Sequence, residues 1–168
     1  MKKFLATAGA LAVLALTSTP AAAVSPATQA TATAKIFKPL TIASTQNLDF
    51  GTIVLAGAAF SGESVNMDTA GAITCGTTAG DLTCSGAPKP ATYHLAGTAN
   101  AVVTITSPGF NLTNGAATLP FAPNFAPTVT LSGTGVLDIS LGGKITGLAN
   151  NTTDGVYTGT FAVTANYQ

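Results

Sequence analysis

The sequence predicts an all-β domain, a Greek-key sandwich or barrel, behind an N-terminal export signal. Three observations carry this. Short runs that alternate large apolar with small polar residues recur along the chain, at the spacing of roughly 8–12 residues typical of such folds. Clusters of Gly, Pro, Asn and Ser separate the runs, and nothing after residue 23 repeats with the helical period. Charged residues make up only 7% of the chain, against about 25% in an ordinary globular domain. Arg and Trp are absent, so the surface has to be built from Thr, Ser, Asn and backbone.

The first residues address export. Lys2 and Lys3 give a basic start, "FLATAGALAVLAL" from Phe4 to Leu16 gives an apolar core, and "TPAAA" puts small residues at Ala21 and Ala23 before a cut. This is the pattern of a signal peptide, shorter than the about 20 apolar residues a membrane span needs. The expected organisation is a signal peptide over 1–23, a flexible leader "VSPATQATATA" over 24–34, and one β domain over 35–168. The expected location is the periplasm, cell surface or exterior, without a transmembrane anchor.

The strands are expected in the following order. "TAKIFKPLTI" (33–42) is extended, with Pro39 suited to an edge because it cannot donate to a ladder. "LDFGTIV" (48–54) turns Leu48 and Phe50 inward, with Gly51 marking a bulge or a close approach. Runs at 63–68, 72–75, 82–84, "ATYHLAG" (91–97), "AVVTITS" (101–107), "TVTLSG" (128–133) and "GVLDISLGG" (135–143) follow, and "GVYTGTFAVTANYQ" (155–168) closes the chain. Period two places Leu48, Phe50, Tyr93, Leu95, Val103, Ile105, Leu137, Ile139, Phe161 and Val163 in the core.

Charge and motifs narrow the function. After residue 23, four lysines face six acids, a net charge near minus two that offers no basic patch for nucleic acid or anionic lipid. Cys75 and Cys84 flank "GTTAGDLT" in a hairpin-like segment and should pair in an oxidising compartment. With His94 the only histidine, a metal site would lack ligands. Alternation puts His94 on the outer face beside Thr92, and no nucleophile elbow, metal-binding helix, paired-carboxylate segment or phosphate loop accompanies it. No catalytic residue, cofactor or metal is therefore expected. "TLPFAPNFAP" (118–127) gathers Leu119, Phe121 and Phe125 among three prolines, and reads either as an exposed interaction loop or as a cap on the sandwich core.

The opening "KPLTI…LDFGTI", the "GG" at 142–143 and the closing "GVYTGTFAVTANYQ" resemble the bacterial secreted family called domain of unknown function 4402. That family is similar in pattern to spore coat U-type and chaperone-usher pilin-like domains. The resemblance spans nearly the whole chain after the signal. It implies an immunoglobulin-like β-sandwich with a fimbria-like or adhesin-like surface role, partners that are copies of itself or other surface subunits added by strand exchange, and a periplasmic chaperone. A secreted binding module for a glycan or a surface protein is the alternative. In the terminal strand, Tyr157, Phe161, Val163, Ala165 and Tyr167 share one face, which predicts a central or near-central strand. The leader offers only small side chains, so the sandwich is expected to complete itself within one chain, with 33–42 beside the final strand.

Overall fold

The computed structural model describes residues 27–168. The chain divides into two units, residues 1–35 and 36–168, and the described part of the first carries no secondary structure. The signal-peptide reading of 1–23 and the start of the leader fall outside the described residues. Among the described residues no helix is long and apolar enough to cross a membrane.

Twelve strands make up the second unit: β1 (Thr41–Gln46), β2 (Thr52–Leu55), β3 (Glu63–Met67), β4 (Ile73–Cys75), β5 (Leu82–Ser85), β6 (Ala91–Ala96), β7 (Val102–Thr106), β8 (Phe110–Asn114), β9 (Ala117–Asn124), β10 (Thr128–Thr130), β11 (Val136–Leu148) and β12 (Thr164–Tyr167). Every ladder is antiparallel. The large sheet runs β1-β6-β11-β3-β4, with the β8–β9 hairpin joined to it through β9 and β11. Two small ladders, β10-β7-β12 and β2-β5, complete the set. The result is a β-sandwich-like fold.

The long strand β11 explains the layering. Its first half, Val136–Leu141, pairs with β6; its second half is flanked by β3 and β9. Each half carries its own core. Leu95, Val103, Ile105 and Leu131 are buried between the β1-β6-β11 part and the β10-β7-β12 ladder, with Val163, Ala165 and Tyr167 packed against them. Val65, Leu82, Leu119, Phe121, Ile145 and Leu148 are buried between the β3-β11-β9 part and the β2-β5 ladder. The glycine pair lies where the strands crowd. A methyl on Gly142 would overlap the carbonyl oxygen of Met67, and one on Gly143 would overlap the ring of Phe121.

Four sequence expectations are corrected, two of them only in part. The terminal strand is not central: β12 is four residues long and pairs only with β7, at the edge of its ladder. The one-faced alternation is real, but Tyr157 serves one core and Val163, Ala165 and Tyr167 the other, so it reports a segment lying across two cores, not a strand flanked on both sides. Residues 118–127 are not an exposed loop over most of their length: 117–124 form β9, with Leu119 6% and Phe121 3% exposed, and only 125–127 are a connection, to β10. The prolines are tolerated because Pro120 lies where β9 pairs only with β8, and Pro123 where it pairs only with β11, leaving one edge that needs no donor. Residues 33–42 lie beside the final strand through Phe37 and Lys38, which touch Tyr167; the strand itself begins at Thr41, after Pro39, and its ladder is with β6, not β12. Of the ten expected core residues, Leu95, Val103 and Ile105 are fully buried, and the other seven are half-buried.

One carboxylate is buried. Glu63 is 4% exposed, and its oxygens accept hydrogen bonds from the Thr77 N–H and, at 2.8 Å, from the Thr77 hydroxyl. These donors favour the ionised form and hold its pKa at about 2.

Candidate functional site

Two segments line a groove of about 1030 Å³: 47–55, and 152–161, which bends at Gly155 and is bridged at Thr158. The first wall owes its shape to Gly51. Its φ of +70° inserts a left-handed residue, and a side chain there would strike the carbonyl oxygen of Ser85. The extra residue switches the inward parity, so that Leu48 and Phe50 before it and Ile53 and Leu55 after it all pack on the same core.

This wall is bonded on one side only. Asp49 and Lys89 exchange main-chain hydrogen bonds, β2 pairs with β5, and the N–H groups of Ala56 and Gly57 donate to the Asp81 carbonyl. Every one of these partners lies in 81–89. Among the described residues, no strand pairs with the opposite edge of β2.

The second wall is bonded in the same one-sided way. Thr158 exchanges hydrogen bonds of 2.8 and 3.0 Å with Thr113 of β8, and the Gln168 N–H donates to Val102 of β7 at 3.1 Å. Residues 159–163 lie outside any ladder. Positions 158 and 168 are an even number of residues apart, so in an extended chain their polar groups point to the same edge. The main-chain groups of the odd-numbered residues point to the other edge, where no strand is paired among the described residues.

Between the walls the floor is apolar. Phe110 and Leu112 of β8, Leu119 and Phe121 of β9, and Ile145 and Leu148 of β11 line it. The Phe110 and Phe121 ring centroids are 4.8 Å apart, and Phe161 stacks on Phe110 at 5.3 Å. Phe50 meets Phe121 edge-on at 6.0 Å. The charged residues of the lining are Asp49 and Asp154, both acidic.

The structure gathers some of the residues singled out from the sequence and separates others. Leu119, Phe121, Tyr157 and Phe161 line the groove. Phe125, Val163 and Tyr167 belong to the other core. Cys75 and Cys84 form a disulfide with a Cα–Cα distance of 5.8 Å; it joins β4 to β5, the strand behind the first wall. Ile53, Phe110 and Leu112 were missed as wall and floor. The pattern "FNLTNG" held the signal, because Asn114-Gly115 between two alternating runs is a strong hairpin cue.

His94 acquires a partner the sequence reading did not name. Its Nδ1 lies 2.6 Å from Asp138 Oδ1 across the β6–β11 ladder, with the two side chains 45% and 80% exposed. Among the described residues no group of three or more His, Cys, Asp or Glu side chains is placed to hold a metal ion.

The family model described as Domain of unknown function (DUF4402) matches residues 40–167. The chain belongs to this family. No curated protein and no solved structure matches it. The DUF4402 match begins just after Pro39 and takes in both walls and the whole floor of the groove, while the leader lies outside it.

Proposed function

We propose that this DUF4402 chain is an exported, non-catalytic structural protein of the cell surface, fimbria-like or adhesin-like, that accepts an extended polypeptide segment as an added strand. The observation that carries this reading is the pair of backbone edges without a paired strand, that of β2 and that of 157–161, on either side of an aromatic floor. Unpaired strand edges are templates for another chain: main-chain bonds supply affinity, and alternate side chains entering an apolar cleft supply selectivity. The low charge and the Thr-rich surface suit an exported scaffold. Candidate partners are further surface subunits, with a periplasmic chaperone holding the groove before assembly.

Hydrogen exchange tests the reading. In isolated monomer the amides that point to the open edges, those of Ile53, Leu55, Gly159 and Phe161, should exchange quickly, while those of Ala56 and Thr158, already bonded to Asp81 and Thr113, exchange more slowly. In material taken from the cell envelope the open-edge amides should be protected, while the already paired β6 and β11 change little. Equal exchange of these open-edge amides in both preparations would overturn it.

A further inference from the structure

Whatever the groove accepts, we propose that Asn114 is a site of spontaneous hydrolytic deamidation, and that this reaction releases the wall 152–161 from β8. The chain has one Asn-Gly pair, Asn114-Gly115, and one Asp-Gly pair, Asp154-Gly155. They are 40 positions apart, and the fold brings them together: Asn114 Nδ2 donates to the Asp154 main-chain carbonyl at 2.9 Å. Gly155, with a φ of +132°, leaves the space this amide fills, since a side chain at 155 would strike Nδ2. Among the described residues, hydrogen bonds tie β8 to this wall only from Thr113, to Thr158, and from Asn114, to Asp154. One of the two ties is therefore a side-chain amide.

Asparagine is a thermolabile residue, and a following glycine puts no side chain in the way of ring closure. The attacking group is the main-chain nitrogen of that glycine, and here it is accessible. Gly115 opens the two-residue turn between the paired Asn114 and Ala117, its N–H donates to no main-chain carbonyl among the described residues, and open space lies where a side chain at 115 would stand. The Gly115 nitrogen gives its proton to solvent and bonds to Asn114 Cγ, the Cγ–Nδ2 bond breaks, and ammonia leaves. Water then opens the imide ring. Attack at Cγ gives an aspartate at 114, and attack at the Asn114 main-chain carbonyl carbon gives an isoaspartate. The balance is water in and ammonia out.

Either product removes the donor. The Asp154 carbonyl is left facing a carboxylate, acceptor against acceptor, and the new charge adjoins a residue that is itself acidic. Isoaspartate does more, because it lengthens the main chain at the turn and displaces the pairs Asn114↔Ala117 and Thr113↔Thr118. Thr113 is the other residue that holds the wall.

The test ages the mature exported chain in warm, mildly alkaline buffer and maps its peptides by mass spectrometry, with isoaspartyl methyltransferase to mark isoaspartate. Asn114 should convert ahead of every other asparagine, none of which precedes a glycine. In the converted fraction the Thr158 amide, bonded to Thr113, should exchange about tenfold faster, as the loss of one ordinary hydrogen bond allows, while the β6–β11 amides keep their rates. Freshly made Asn114→Asp, with folding checked by circular dichroism, should show the same faster exchange without ageing. Asn114 that outlasts the other asparagines would overturn the site. Conversion that leaves Thr158 exchanging at the starting rate, in the aged chain and in Asn114→Asp alike, would overturn the release of the wall.

Discussion

The ring of Phe37 lies flat on that of Tyr167, with centroids 4.3 Å apart and planes 9° from parallel. The Tyr167 hydroxyl donates to the Lys38 carbonyl at 2.9 Å and accepts from the Thr98 N–H at 2.7 Å. The last strand is therefore held by the residues that precede the first. Tyr167→Phe keeps the stacking and loses both hydrogen bonds, so it should lower stability by about 1–2 kcal/mol. Tyr167→Ala should cost more, because it also removes the ring from the second core. Denaturant unfolding measures both, and a Phe variant as stable as wild type would show that the hydroxyl does not hold the two ends together.

The second prediction concerns Gly143. Phe121 fills the space a side chain there would need, so Gly143→Ala should destabilise by about 1–3 kcal/mol through overpacking. In a Phe121→Leu background the same change should cost clearly less. Equal costs in the two backgrounds would mean that the ring is not what excludes a side chain.

Glu63 makes stability depend on pH. Its folded pKa of about 2 lies below the ordinary glutamate value of 4.5, so the unfolded chain binds the proton more readily in that interval. The stabilisation is complete above about pH 4.5 and is lost as pH falls towards about 2. Glu63→Gln should flatten the dependence of the unfolding midpoint across that window. An unchanged slope would place the acid sensitivity elsewhere.

Cys75 and Cys84 are nine positions apart. Closing a loop of this size stabilises by about 2.7 kcal/mol in the chain-entropy model. Non-reducing mass analysis of the exported protein should give a mass two hydrogens below the reduced form, and Cys75→Ser/Cys84→Ser should unfold at lower denaturant. Free thiols in protein from the envelope would contradict this.

The β class, the cysteine pair and much of the core were legible because period-two alternation is local. Leu95, Val103 and Ile105 follow directly from it. The β8–β9 hairpin was hidden by Pro120 and Pro123, whose missing donors matter only if the strand is paired on both sides there, and that is a property of the neighbours. The terminal strand misled in a different way. Its one-faced pattern shows that a side is covered but not how many strands lie beside it. The groove was illegible because its walls, 47–55 and 152–161, are about 100 residues apart in the chain and meet only through the two ladders.

The disulfide has a mechanical consequence. A strand lodged along β2 would be held by hydrogen bonds perpendicular to its axis, and tension along that strand would load them together in shear. β2 can hand this load only to β5, its single partner. Without a further tie the two-stranded ribbon would be free to peel from the body of the domain. The Cys84–Cys75 bond gives the force a covalent path from β5 into β4, and from there through β3 into the long central strand β11.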